Sequence, residues 1–348
     1  GPLRVPLADA AVLDGLIKGT PLSIAGTSAL FWGQNPHDSR PNKNLRPWLY
    51  RVHLATYPHL DLLCAIAQHG LVPPWKDPVG RVGARPVPAN NAGAVVGASV
   101  VVDKLLADYY KGRCIIASMD ILTQDETFHS SSFALVPKKD IPLHLDGRII
   151  HDLSAPQGRS LNDFMDTVAS PDARWELVTC IARRVRELRR RYPGQAIYAM
   201  VADIAEAFKH VPVHARHASA FGGQLPRSGI VFGMAVFGWT SSPGFCAVFG
   251  KAVRHYQRTG ASYILGNLEP FWTFQWVDDI ALVEADIDDR LLKAEKRLRD
   301  GIKLVFDSDG RHEGKFTTWS QTFHAVGIDW DIPAQEVSIP QRKIDKLL

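Results

Sequence analysis

Two adjacent acids, Asp278 and Asp279, sit inside the apolar stretch FQWVDDIALVE, residues 274–284. Ionised carboxylates among apolar residues are costly to bury unless they are paired or hold a cation. A further acid, Asp203, closes the apolar run AIYAMVADI that ends at Ile204. In a regular strand neighbouring side chains point to opposite faces, whereas two adjacent acids at a tight hairpin turn can converge. If the two runs are neighbouring strands, Asp203 and Asp278 meet at one sheet edge. Carboxylates crowded together repel and need a cation. Oxygen-only ligation with open positions suits Mg²⁺ or Mn²⁺, which keep waters and substrate phosphates. Two such ions clamp the attacking and leaving oxygens of a phosphoryl transfer. An Asp-Asp pair alone does not specify this chemistry. The chain has a second pair, Asp288-Asp289 in ADIDDRLL, expected to open a helix, where the acids answer its dipole and cap its amides. For Asp278, spacing alone leaves metal binding and a structural role both open.

The acids need elements to position them. AIYAMVADI reads as a strand, and FQWVDDIALVE as two strands around a turn. Residues 175–192 read as an amphipathic helix stopped by Pro193-Gly194, with Leu177, Val178, Ile181, Val185 and Leu188 on one face. Arg183, Arg184, Arg186, Arg189, Arg190 and Arg191 crowd the rest of it, as a solvated face or as a nucleic-acid surface. GIVFGMAVFGWTSSPGFCAVFGKAVRHY reads as a glycine-rich turn followed by a helix, residues 288–300 as a charged helix, and 317–340 as paired strands. Further upstream, 77–93 reads as a linker or long loop, 100–113 as a helix ended by Gly112, and 130–139 with 148–154 as two joined strands. The order strand, helix, strand-turn-strand, helix, strand over 196–332 suggests a split βαβ, ferredoxin-like sheet.

Bulk properties exclude some classes. With 348 residues, 46% of them hydrophobic, the chain can build a sizeable core and two or three subdomains. Cys64, Cys114, Cys180 and Cys246 are too scattered for a zinc site or disulfide scaffold, so buried free thiols in a reducing, intracellular compartment are expected, cytoplasm and nucleus not being distinguished. No apolar run approaches the ~18 residues of a membrane span, and no signal peptide, P-loop or GxGxxG motif is read. A net charge of +4 is compatible with nucleic acid and does not establish it.

The motifs together resemble a known family. WVDDI, preceded by VADIAEAFKHVPVH and FGWTSSPGF, resembles the palm of a reverse transcriptase. SSSFALVPKKD with GRIIHDLSAPQGRSLND resembles the fingers of retrotransposon enzymes, and EVSIPQRKIDKLL resembles the segment leading into the thumb. The resemblance covers residues 130 to 345 or so, in the right order. It is closer to long-terminal-repeat or tyrosine-recombinase retrotransposons than to group II intron enzymes.

The resemblance implies roles for single residues. Asp203 matches the first metal ligand and Asp278 the second, Ile204 lends a carbonyl oxygen to a metal, and Asp279 matches the second acid near the metal and primer end. The amides of Glu206 and Ala207 face the incoming triphosphate. Phe208 matches the steric gate against a ribose 2′-OH, although an ordinary core Phe has the same spacing. Phe237 and Gly238 floor the nucleotide pocket, and Trp239, Ser242 and Pro243 belong to the motif that touches the template. Phe237 stands where many relatives carry Gln, which removes one side-chain hydrogen bond to the nucleotide. Arg148 matches the fingers arginine that grips the triphosphate, with either Lys138 or Lys139 as its partner. Lys315 matches the lysine that protonates leaving pyrophosphate. Trp276 packs beneath the primer end, and Val326 and Gly327 lie in a primer-grip hairpin. Trp175 and Trp319 read as core.

The expectation is an α+β right-hand polymerase with fingers and a ferredoxin-like palm, its thumb absent or only begun. The expected divisions are an N-terminal extension over 1–99, either extending the fingers or binding a partner; fingers over 100–195 and 214–240; palm over 196–213 and, with the primer grip, 241–335; and the start of a thumb over 336–348. The expected function is RNA-directed DNA polymerase, a nucleotidyltransferase adding deoxynucleotides to a primer on an RNA or DNA template with two Mg²⁺ ions, Mn²⁺ substituting. The alternative is a catalytically inactive, domesticated module that binds RNA or protein as a scaffold. Intact Asp203, Asp278, Asp279, Phe208 and Arg148 argue against that decay.

Overall fold

The computed structural model describes residues 7–19, 23–79, 82–138 and 141–345; Lys139 lies outside them. The chain divides into two compact units. One comprises Gly1–Lys43, Ala65–Pro171 and Phe208–Phe245, and the other Asn44–Cys64, Asp172–Ala207 and Cys246–Leu348.

In the first unit the strands Cys114–Ala117, Ser228–Phe232 and Gly222–Leu225 form an antiparallel sheet in that order. Its sequence is buried on both faces, and Ile115, Ala117 and Val231 pack with Leu13 and Ile24 from the N-terminal helices and with Trp32, which caps the second of them. The expected pair of joined strands is present as Ser132–Pro137 against Gly147–Asp152. His151 on that pair is fully buried between the rings of Phe133 and Phe232, and burial pulls its imidazole down to about 4. It is a neutral core residue at neutral pH. The helix Ala98–Tyr110 ends where expected, two residues before Gly112.

The second unit is built on a sheet whose strands run Ile197–Asp203, then Asp279–Ala285, then Phe274–Trp276, all antiparallel. Beyond Ile197–Asp203 a bridge from Ala199 to Ser320 adds the outermost segment. The helices Ser242–Thr259 and Arg290–Phe306 lie between consecutive members of this sheet in the chain. Period-2 alternation places Ile197 and Ala199 with Ala281, Val283 and Ala285 on one face, where Ile181 and Leu188 of the helix Thr179–Arg191 join them. Met200, Ala202, Ile280 and Leu282 of the other face are buried too. The C-terminal strands Thr322–Ala325, Ile328–Asp331 and Glu336–Ser338 form a separate antiparallel sheet.

Three expectations need correction. The arginine-rich helix begins at Thr179, not at Trp175, and Leu177 is exposed. Glu176 is drawn instead onto Arg258, and the Lys251 ammonium lies 5.5 Å over the Trp175 ring, so these residues pack as an extended lead-in. Trp175 and Trp319 are half-buried rather than core. Asp288 and Asp289 do precede a helix, but the N-cap Asp289 makes no side-chain cap and Asp288 has φ +54°. Asp289 pairs with Lys293 one turn on. All four cysteines are free, with Cys64, Cys114 and Cys246 buried and Cys180 half-buried. No described helix is long and apolar enough to cross a membrane.

One buried charge network was not foreseen. Glu284, the last residue of the stretch that carries Asp278 and Asp279, has no solvent exposure. Its carboxylate accepts from Arg184 and Arg290 at 3.0 Å each and from the Trp272 amide at 3.0 Å. Arg290, itself buried, also donates to Ser262 and to the Glu269 and Pro270 carbonyls. Removing one partner of a buried pair leaves the other charge uncompensated, at about 3–5 kcal/mol. Glu284→Gln is therefore expected to lose about 3–5 kcal/mol of unfolding free energy in urea titration; a loss below about 1 kcal/mol would place the network among weak surface pairs.

Candidate active site

Asp203 is the last residue of its strand, and its Cα partner across the ladder is Asp279. Asp279 pairs on its other side with Trp276, which leaves Val277 and Asp278 as a two-residue hairpin turn. The turn is stitched to the neighbouring strand, since the Ile204 amide donates to the Asp278 carbonyl at 3.0 Å. The two acid-bearing runs are thus adjacent, and their three carboxyl groups gather at one end of the sheet.

Electrostatics record the crowding. Burial first, and then the charge of Asp203, raises the Asp278 carboxyl above its ordinary value. The same two causes, in the same order, raise Asp279. Lys315 works against both shifts, and its Nζ lies 2.7 Å from Asp203 Oδ2. The lysine is brought there by Thr317, whose amide donates to the Val201 carbonyl while its hydroxyl accepts from the Val201 amide, each at 2.9 Å. One cation thus already stands on the acid cluster. Burial, and secondarily Asp278, pushes the nearby Cys246 thiol up to about 12, so it is no nucleophile at neutral pH. Among the described residues, no three His, Cys, Asp or Glu side chains enclose a metal position by themselves.

The turn carries strain. Val277 has φ +55°, a genuine outlier for a β-branched side chain. Gln275, fully buried within an apolar strand, donates its side-chain amide to the Val277 carbonyl at 3.0 Å. Gly250 makes room for that amide: a Cβ there would lie 2.7 Å from Gln275 Nε2. Sequence reasoning passed over Gln275, although a polar residue between Phe274 and Trp276 was the available signal. It also missed His324, which pairs across a hairpin with Asp329 at 2.6 Å.

No protein-family model matches the sequence, and no curated protein matches it. The backbone does match solved structures. A foamy viral protease-reverse transcriptase in complex with dsDNA superposes with a TM-score of 0.51 at 14% identity, over 99% of this chain and 58% of that one. A foamy viral protease-reverse transcriptase in complex with an RNA/DNA hybrid gives 0.50 at 16% identity, over 100% and 38%. The fold is reverse-transcriptase-like. The chain spans less than two thirds of either protein.

Within that reverse-transcriptase-like fold, the second unit gathers Asp203, Ile204, Asp278, Asp279 and Lys315. Trp276, 42% exposed, flanks the turn on the strand next to Asp279. Val326 and Gly327 form another two-residue turn, at φ +52° and +75°, between Ala325 and Ile328. Glu206 is exposed at φ +50° and Ala207 is buried. The first unit holds the remaining expected residues. Phe208 is half-buried and meets Phe237 edge-on at 5.6 Å, and Phe237 is 67% exposed. Gly238 has φ +112° and lies so near the His151 carbonyl that a Cβ would sit 2.2 Å from it, so its close approach is to the chain itself. Trp239 and Ser242 are buried, one stacked on Phe245 and the other donating to the Val236 carbonyl, while Pro243 is exposed. Arg148 is exposed. Lys138 is paired with Asp146, which also binds Lys104.

The raised carboxyls set a pH dependence. Because the folded protein binds these protons more tightly than the unfolded chain, stability falls as pH rises from the ordinary Asp value of 3.8 through the raised one. The penalty is fully present above the raised value and absent below the ordinary one. In chelator-treated protein, Asp278→Asn is expected to melt higher than the parent at pH 7, with the gain vanishing below about pH 3.8. A thermal melt at each pH checks this, and an unchanged or lower Tm at pH 7 contradicts the crowding.

Proposed function

We propose that the chain is an RNA-directed DNA polymerase of the reverse-transcriptase type, from a retrotransposon-type element, adding deoxynucleotides to a primer 3′-OH on a template. One observation carries the reading: Asp203, Asp278 and Asp279 converge at one end of an antiparallel sheet inside a reverse-transcriptase-like fold. The strand order of the second unit, with the bridge at Ser320 as a reduced fourth member, supports reading it as a ferredoxin-like palm. In this reading most of the first unit is fingers, and the residues from 336 on begin a thumb.

The donor set fits a hard divalent cation. It is all oxygen and crowded enough to raise two carboxyls, and a hard cation that keeps waters and phosphates would compete with the Lys315 ammonium for Asp203. Asp203 and Asp278, with the Ile204 carbonyl and Asp279 beside them, would hold two Mg²⁺ ions, Mn²⁺ substituting. When bound, such ions neutralise phosphate charge and stabilise the attacking and leaving oxygens of an in-line displacement. The chain's own residues do the rest by positioning and charge. Lys315, an ammonium already held at the carboxylates, donates a proton to the leaving pyrophosphate. Arg148 recognises the triphosphate with its planar fork of donors. Lys138 or Lys139 assists it, and the amides of Glu206 and Ala207 offer donors to phosphate oxygens. Phe208, braced by Phe237, rejects the ribose 2′-OH. Gly238, Trp239, Ser242 and Pro243 shape the template side, and Trp276, Val326 and Gly327 the primer side.

Extension of a labelled primer tests the reading, on RNA and on DNA templates, with deoxy- or ribonucleotides, with and without Mg²⁺. Template-dependent, Mg²⁺-dependent extension is expected, and Asp278→Asn is expected to abolish it; full activity in that variant sinks the mechanism. Nucleic-acid binding without any extension favours the scaffold alternative. In the same assay Phe208→Ala is expected to admit ribonucleotides that the parent rejects, and strong ribonucleotide use unchanged by the substitution refutes the gate.

A further inference from the structure

The arginine-rich helix Thr179–Arg191 carries six arginines from Arg183 on, and the structure sorts them into two groups. Arg184 is buried on Glu284 and also meets Glu187. Arg189 donates to the Ile332 carbonyl, and Arg191 pairs with Glu187 and Glu269. These three hold the helix to its own unit. Arg183, Arg186 and Arg190 are exposed. Arg183 makes only a 3.4 Å contact with the Thr179 hydroxyl, and Arg186 and Arg190 have no partner among the described residues.

The sorting follows helical geometry. At 100° per residue, positions 183, 186 and 190 fall within about 60° of arc, opposite the buried Ile181 and Leu188. Arg184, Arg189 and Arg191 lie on the flanks, where they reach neighbours. Glu187, the one acid beside the free stripe, is already bound by Arg184 and Arg191. From Arg183 to Arg190 the stripe runs about 10 Å at 1.5 Å per residue. That is the rise of about three nucleotides at 3.4 Å per step of one strand. The body of the helix separates the stripe from the sheet that carries the acids.

We infer that Arg183, Arg186 and Arg190 form a second nucleic-acid contact, distinct from the acid cluster, that binds the sugar-phosphate backbone of a strand without reading its bases. A stripe of guanidinium groups complements consecutive phosphates. The choice of nucleic acid over another polyanion rests on the polymerase reading; the basic, uncompensated stripe does not.

Anisotropy of a fluorescein-labelled single-stranded RNA, titrated at several salt concentrations in chelator, tests this without any turnover. Each phosphate contact contributes about 0.7 to the slope of log K against log salt for a single strand. The triple variant Arg183→Gln, Arg186→Gln, Arg190→Gln is expected to bind more weakly and to flatten the slope by about 2 units. Arg174→Gln, an exposed arginine already paired with Asp172, is the control and is expected to leave the slope unchanged. An unchanged slope in the triple variant overturns the inference. So does a triple variant that loses binding of polyglutamate but not of RNA, which would make the stripe a dock for an acidic protein. Failure of primer extension with the slope change intact would reject the polymerase reading and leave the stripe standing.

Discussion

The cross-strand pairing of Asp203 with Asp279 is the constraint on which the second unit turns. It forces like charges together at one end of a ladder whose remaining length must hold them there. Six further pairs, from Ile280–Ala202 to Ala285–Ile197, fix the register. Because side chains alternate with period 2, a slip of one residue would exchange the two faces of a sheet that is buried on both sides. The acids therefore cannot relax apart by sliding. Their repulsion is held by apolar packing up to the far end of the ladder.

That far end carries its own lock. Glu284, opposite Tyr198, is bound by Arg184 from one helix and Arg290 from another. A slipped register would strand a buried carboxylate and two arginines, so the ion network penalises the wrong pairing more than it favours the right one. One stretch, from Phe274 to Glu284, thus holds acids with opposite fates. Glu284 is fully compensated by fixed cations and is structural. Asp278 and Asp279 are under-compensated: Lys315, which pairs with Asp203, opposes their upward shifts without cancelling them. A carboxylate already neutralised by two guanidinium groups has nothing left to offer a ligand, whereas the under-compensated pair retains its unbalanced charge.

Much of this was legible in the sequence. The alternation of AIYAMVADI and the acids inside FQWVDDIALVE were enough to read strands and a tight turn; that the two runs are neighbours came from the ladder itself. The helix Thr179–Arg191, the strand pair at Ser132–Asp152 and the paired strands of the tail were also readable from period and punctuation. What stayed hidden depends on pairs distant along the chain. Arg184 and Glu284 are one hundred residues apart, and no local pattern distinguishes Arg184 from Arg183 or Arg186. The lead-in at Trp175 and Glu176 left the helical pattern because Lys251 and Arg258 capture it from another helix. Asp288-Asp289 looked like a helix cap, yet a positive φ at Asp288 carries the chain past the capping geometry.

Val277 and Val326 each occupy the first position of a two-residue hairpin turn with φ above +50°. Glycine or asparagine would adopt that conformation without strain, and a β-branched residue does so at about 1–3 kcal/mol. Neither valine is demanded by the turn type, which favours the opposite choice. At Val277 the conformation is held by the buried Gln275 amide and by the room that Gly250 leaves for it. A turn stabilised from beneath in this way has little freedom to move, and Asp278 shares its backbone rigidity. Crowded carboxylates left on a flexible turn would swing apart and dissipate their repulsion in water. On a clamped, strained turn they stay together, and the unfavourable field they create is available to any cation that can meet all of them at once.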